Sequence, residues 1–196
     1  MKLITIGRQF GSGGMAIGKI LSQKLSIPCY DKELIMLASQ KSGLCSEFFE
    51  KADEKSSFSL LGNIPVGFFS GGQTSNYLNN ETLFAIQSNV IREIAKKESA
   101  IFIGRCADYI LREEKDLVTI FITANPADKI KRISSEKNIS EKQAKVLIEH
   151  NDKKRASYYN YYSNKTWGVA DTYGLCINSS LLGIEKTAEF ILKLFV

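Results

Sequence analysis

The sequence predicts a three-layer α/β/α protein, a parallel sheet with helices on both faces, and three observations carry that prediction. Apolar runs of strand length are continuous instead of alternating, as in Leu3-Ile4-Thr5-Ile6 and Val118-Thr119-Ile120-Phe121-Ile122, which is the pattern of strands covered on both faces. Stretches of helical periodicity separate these runs. A glycine-rich turn lies where the first strand gives way to the first helix. At 196 residues and 44% apolar, the chain reads as one domain over 1–196, long enough to bury a full core.

The elements follow in order. After the strand Leu3–Ile6 comes a helix with Ile17, Ile20, Leu21 and Leu25 on one face. Residues 43–80 hold Gly62, Gly67, Gly71, Gly72 and many Ser and Asn without sustained periodicity, and read as an inserted arm whose few apolar residues could not make a core of their own. A helical stretch with Leu83, Ile86, Val90, Ile91 and Ile94 leads to the strand Ile101-Phe102-Ile103, and Val118–Ile122 is the longest strand. Pro126 suits the first turn of a helix reaching about Glu136. Ser140 with Gln143 forms a capping box for a long helix ending near Tyr162. Leu175–Asn178 reads as the last strand, and Ile184–Leu194 as a closing helix with Ile184, Ala188, Ile191, Leu192 and Phe195 inward.

Composition excludes several functions. The single histidine, His150, removes His-pair zinc sites and leaves any Ser-His-Asp triad dependent on one residue, itself read as a surface residue. Cys29, Cys45, Cys106 and Cys176 form no CxxC pair and read as reduced thiols of a cytoplasmic protein. The apolar stretch after Lys2 breaks at Gly7 and Arg8, too short for a signal peptide, and no run approaches a membrane span. The formal net charge of +5 leaves phosphorylated metabolites and nucleic acid both open.

In Gly7-Arg8-Gln9-Phe10-Gly11-Ser12-Gly13-Gly14, backbone N–H groups and a helix N-terminus converge, which predicts a bound phosphate. A dinucleotide fingerprint can be drawn as Gly11-x-Gly13-x-x-Ala16 with Asp31 for a ribose hydroxyl. Four residues intervene between Ile6 and Gly11, however, and that longer wrap favours a P-loop. The P-loop is itself incomplete: Gly14 and Met15 stand where Lys and Ser or Thr are expected. Arg8 and Lys19 are the available replacements for the missing charge, and the sequence does not choose between them.

Gly104-Arg105 puts an arginine at the carboxyl end of a buried strand, the edge where open α/β sheets bind ligands, and Asp108 follows as a helix cap or as a metal or hydroxyl contact. Between Lys129 and Lys165 ten basic residues face four acidic ones, a surplus of six, larger than that of the whole chain. Most of these lysines read as a solvated helix face. Arg132 and Arg155 stand out, because a guanidinium forks onto two phosphate oxygens while staying charged. Tyr158-Tyr159-Asn160-Tyr161-Tyr162 with Trp167 could be a single-strand nucleic-acid platform, but the spacing of Tyr158, Tyr161 and Tyr162 along one helical face favours packing, and charge localised opposite a phosphate loop favours small ligands over nucleic acid.

Ile6–Gly14 with Ile17-Gly18, Tyr30-Asp31-Lys32-Glu33-Leu34, Gly104–Asp108 and Asp152-Lys153-Lys154-Arg155-Ala156-Ser157-Tyr158-Tyr159 together resemble the cytidylate kinase-like proteins, nearly end to end. The resemblance implies a P-loop nucleoside-monophosphate kinase fold using ATP and Mg2+, with ATP + CMP to ADP + CDP as the reaction. It further implies that Gly11, Ser12, Gly13 and Gly14, with Lys19 nearby, hold the donor phosphates. Asp31, with Asp108, would sit beside the acceptor nucleotide and Arg105 on its phosphate. Arg132 and Arg155 would belong to a lid over 129–165, and 43–80 would be an acceptor-side arm. Arg8, Arg105, Arg132 and Arg155 would surround the transferring group. The chain departs from cytidylate kinases in the loop lysine, in Ile103 where they carry a carboxylate, and in the displaced Asp108, so metal ligands stay open. A nucleotide-binding or sensing protein without turnover is the alternative, and a dehydrogenase the third reading.

Overall fold

The computed structural model describes residues 1–35 and 75–195, with side chains from 81 onward in the second stretch. Five strands form one wholly parallel sheet: β1 (Leu3–Arg8), β2 (Cys29–Tyr30), β3 (Ala100–Ile103), β4 (Leu117–Thr123) and β5 (Leu175–Asn178), in the spatial order β2-β3-β1-β4-β5. Among the described residues the connecting helices are α1 (Gly14–Leu25), α2 (Ser75–Lys97), the single turn α3 (Ala107–Ile110), α4 (Pro126–Lys137), α5 (Glu141–Ser163) and α6 (Gly183–Leu192), with 3-10 turns at Ala170–Thr172 and Lys193–Phe195.

Alternation along the strands divides the core in two. Ile4, Ile6, Ile101, Ile103, Ile120 and Ile122 point to the α1 and α6 side, while Leu3, Phe102 and Phe121 point to the side of α2, α3 and α5. Each of these isoleucines is fully buried, contributing about 1.5–3 kcal/mol by burial. A third, smaller cluster joins α4 to α5 through Ile133, Ala144 and Ile148, and Phe10 of the glycine-rich turn packs into it.

The sequence-predicted strands and helices appear at their places, with small extensions at their ends. Ser140 accepts the N–H of Gln143 while the Gln143 side chain accepts the N–H of Ser140, completing the capping box that starts α5. Ile184, Ala188, Ile191, Leu192 and Phe195 face the core as expected. Two expectations need correction. Residues 75–80 are helical and belong to α2 instead of the arm, whose other residues, 43–74, lie outside the described part. On α5 it is Tyr159 that is buried, at 4% exposure, whereas Tyr161 is 58% exposed, so the packed face holds Tyr158, Tyr159 and Tyr162.

No helix among the described residues is long and apolar enough to cross a membrane.

Candidate active site at the carboxyl edge of the sheet

With β1 central, the turns after β1 and β3 emerge side by side at the carboxyl edge, where α/β sheets bind ligands. The first of them is the glycine-rich turn. Gln9 N–H donates to Ile122 O at 3.0 Å, and Ser12 closes the turn by donating from N (3.3 Å) and Oγ (2.8 Å) to Gln9 O. Ser12 is fully buried, and Ser179 Oγ holds its carbonyl at 2.7 Å. Gly13 is the N-cap of α1 with φ of 80°, a left-handed conformation that glycine adopts without cost, so the helix N-terminus opens toward the turn.

The second turn, Gly104-Arg105-Cys106, is left-handed at three successive residues, with φ of 71°, 59° and 57°. Two of these are not glycine, and such strain persists only where the surroundings over-determine it. Here they do. Arg105 Nε donates to Gln87 Oε1 at 2.9 Å, its Nη2 bonds to the same oxygen and to Tyr158 Oη at 2.9 Å, and its Cζ lies 4.5 Å from the centre of the Tyr158 ring. Tyr158 and Tyr162 in turn pack on Phe84, the Tyr162 ring stacked on it at 3.9 Å.

Arg8 lies between the two turns. Its Cζ would be 3.1 Å from a Cβ at Gly104 and its own Cβ 2.7 Å from one at Gly14. Burial, then the neighbouring Arg155 and Arg105, pull its guanidinium down to about 9, against the opposing pull of Asp31 and Asp152. Arg155 Nη1 donates to Arg8 O at 2.9 Å, with Cζ 5.4 Å from the Phe10 ring centre, and burial lowers its pKa as well. Lys32 is lowered by burial first, then by Arg105 and by Lys154, countered in part by Glu33. Arg132 Nη1 bonds to Gly11 O and stands 3.7 Å from the place of a Cβ at Gly13. Arginines from β1, the turn after β3, α4 and α5 therefore meet around one glycine-rich turn, which concentrates positive charge there.

The other sequence-predicted residues fall as follows. Asp31 Oδ1 accepts the N–H groups of Glu33 (3.1 Å) and Leu34 (3.0 Å), capping a helical turn over 32–35, and its charge acts on Arg8. Lys19 is exposed on α1, and its charge acts on Cys29. Asp108 is not brought into the arginine group. Its Oδ2 accepts the Tyr159 hydroxyl at 2.6 Å, and burial holds its carboxyl above the usual range. Cys29, Cys106 and Cys176 are free thiols, burial pushing that of Cys29 up to about 11 and that of Cys106 to about 12. Trp167 packs edge-on against Phe121 at 5.1 Å, a core role. Among the described residues no three His, Cys, Asp or Glu side chains gather as a metal cluster.

Sequence reasoning missed Gln87, Lys129 and Asp152. Gln87 sits on the apolar face of α2, where a glutamine 1% exposed is itself a signal of a buried partner. Asp152 is an acid three residues before Arg155 in a basic run.

A parallel sheet in this order, with a glycine-rich turn between β1 and α1 and convergent arginines, defines the class of P-loop kinases. The chain belongs to the cytidylate kinase-like family, whose model matches residues 3–181. Membership places it in a kinase-like family. Among solved structures it is similar to an uncharacterized protein from Eubacterium ventriosum ATCC 27560, at 28% identity and a TM-score of 0.74, covering 98% of this chain and 97% of that one. Shikimate kinase from Acinetobacter baumannii, in complex with shikimate, shares the fold at 14% identity and a TM-score of 0.55, covering 100% and 93%. Shikimate kinase from Bacteroides thetaiotaomicron does so at 17% and 0.50, covering 99% and 98%. No curated protein matches the chain.

Proposed function

We propose that the protein is an ATP-dependent, cytoplasmic kinase of a nucleoside monophosphate, with CMP the favoured acceptor and ADP and CDP the products. The observation that carries this is the convergence of Arg8, Arg105, Arg132 and Arg155 about the glycine-rich turn. Two phosphate-bearing substrates meeting there need charge neutralisation and alignment. An acceptor phosphate is already a nucleophile, so no protein base is required. A hydroxyl acceptor would be neutral where this site is most cationic.

In this reading Gly11–Gly14 and the α1 N-terminus receive the donor phosphates, with Arg132 and Arg155 over them from the lid-like segment 129–165. Arg105, locked by Gln87 and Tyr158, takes the acceptor phosphate, and Arg8 stands between the two as the group that neutralises the transferring phosphoryl. Mg2+ would be held mainly by phosphate oxygens and water, as is usual for this ion. When bound it would neutralise charge on the donor.

The test is a panel of nucleoside monophosphates with labelled ATP and Mg2+, on the wild type and on R105A and R155A. ADP formation with a pyrimidine monophosphate, lost in both variants, is expected. Silence across the panel, with ATP still bound, would favour the nucleotide-binding alternative, for which Gly14-Met15 in place of Lys-Ser/Thr is the supporting observation. Unchanged rates in the variants would reject the site.

A further inference from the structure

Lys129 and Asp152 keep company that the reading above does not use. Lys129 is 8% exposed, and an ammonium that deep requires partners. Its Nζ donates to Gln9 Oε1 at 3.0 Å and lies 3.6 Å from Asp152 Oδ2. The other carboxylate oxygen, Asp152 Oδ1, accepts the Phe10 backbone N–H at 2.6 Å. The charge of Asp152 also acts on Arg8 and on Arg155. A single carboxylate from α5 is therefore seated on a backbone N–H of the glycine-rich turn and a buried ammonium, with two guanidinium groups within electrostatic reach.

That donor set is the one by which a glycine-rich turn takes a phosphate oxygen: backbone N–H, lysine, arginine. The turn carries no lysine of its own, and α4 delivers one instead. The α4 backbone passes so close that the Lys129 carbonyl is 3.2 Å, and its Cβ 3.3 Å, from the place of a Cβ at Gly11.

We propose that Phe10 N–H, Lys129 and Arg155 form an oxyanion site for a phosphate group of a polyphosphate, which Asp152 occupies as an internal competitor until the incoming phosphate displaces it. This rests on the reading that the glycine-rich turn receives donor phosphates. One N–H does not serve two anions, and a carboxylate left beside an arriving phosphate repels it. The sign of a charge-removing change follows. If Asp152 were only a brace that holds the turn in shape, its neutralisation would weaken anion binding; as a competitor, its neutralisation strengthens it.

The experiment is calorimetric titration of inorganic tripolyphosphate into the full chain, wild type and D152N, at fixed ionic strength, with thermal melts confirming that both are folded. D152N keeps an oxygen for the Phe10 N–H while losing the charge and the oxygen that faces Lys129, so about tenfold tighter binding is expected, and about tenfold weaker binding for K129M. Equal or weaker binding by folded D152N overturns the proposal, as does an absence of tripolyphosphate binding in both. Should D152N fail to fold, the wild type decides. On addition of tripolyphosphate, the Phe10 amide resonance and the Asp152 carboxyl carbon are expected to shift together, and binding that leaves the carboxyl carbon unmoved overturns the displacement. None of these readouts involves turnover, so a chain that shows the Asp152 effect but forms no ADP loses the kinase reading alone.

Discussion

Replacing Gly104 by alanine tests the site at its tightest point. A Cβ there overlaps Arg8 Nη1 outright and comes to 3.1 Å from Cζ, inside ordinary carbon contact of about 3.5–4.0 Å. The guanidinium must move by about 1 Å, a displacement that in a positioned site costs on the order of 10²-fold in rate. Residue 104 also has φ of 71°, which for an L side chain costs roughly 1–2 kcal/mol. Gly104→Ala should therefore lower kcat/KM for ATP and CMP about 100-fold and lower the Tm by several degrees, while the variant remains folded. ADP release in a coupled assay and calorimetric melting measure the two effects separately. A variant within threefold of wild-type kcat/KM would refute the placement of Arg8 at the transferring group, whatever its Tm.

Three further outcomes are expected. Arg105→Lys removes the fork that bonds Gln87 and Tyr158 together, so the acceptor KM should rise at least tenfold with the ATP KM unchanged; equal changes in both would argue for a general structural role. Ser140→Ala breaks the capping box of α5 and should cost about 1 kcal/mol in denaturant unfolding, while anion affinity stays as in wild type because the residue lies at the far end of α5 from Arg155. Asp108→Asn carries a pH signature. The folded chain holds the Asp108 proton more tightly than the unfolded chain, so this group's contribution to stability falls as pH rises from the unfolded carboxylate range through its raised folded pKa. Asparagine does not ionise and keeps an oxygen for Tyr159, so its Tm relative to wild type should improve between pH 4 and pH 7.5, and a flat difference would rule the assignment out.

The sheet was legible because interior parallel strands are largely apolar, as β1, β3 and β4 are, and the edge strand β5 keeps the short apolar run Leu175-Cys176-Ile177. β2 was not, since Cys29-Tyr30 is two residues long and only half buried. The start of α2 was hidden for a different reason: Ser75–Asn80 holds three asparagines and a serine around Tyr77 and Leu78, and a sustained apolar period begins only at Leu83. At the site, the glycine-rich turn and Gly104-Arg105 could be read because each is a local pattern beside a strand end. Lys129 and Asp152 could not, because their meaning is a contact with Gln9 and Phe10 across 120 and 142 residues of sequence. Tyr159 and Tyr161 were assigned to the wrong sides because helical spacing shows which tyrosines align, but the line facing the sheet is set by where α5 lands.

The missing loop lysine has a steric cause in this fold. Gly14 stands where a P-loop lysine is expected, and a Cβ there would lie 2.7 Å from Arg8 Cβ and 3.0 Å from Arg8 Cγ. The Arg8 stem fills the room that a side chain at residue 14 would need, so the two cations are alternatives, and the chain has taken the one on β1. That choice moves the problem from flexibility to repulsion. A loop lysine is a mobile point charge, whereas Arg8 is packed at Gly14 and Gly104, and burial first, then Arg155 and Arg105, pull its guanidinium down. An anion between these arginines would relieve that repulsion, so part of the electrostatic cost of holding them together would return as binding energy. In the proposed kinase reading, immobilised like charges of this kind would be a preorganised site for a transition state that spreads negative charge over a transferring phosphoryl group.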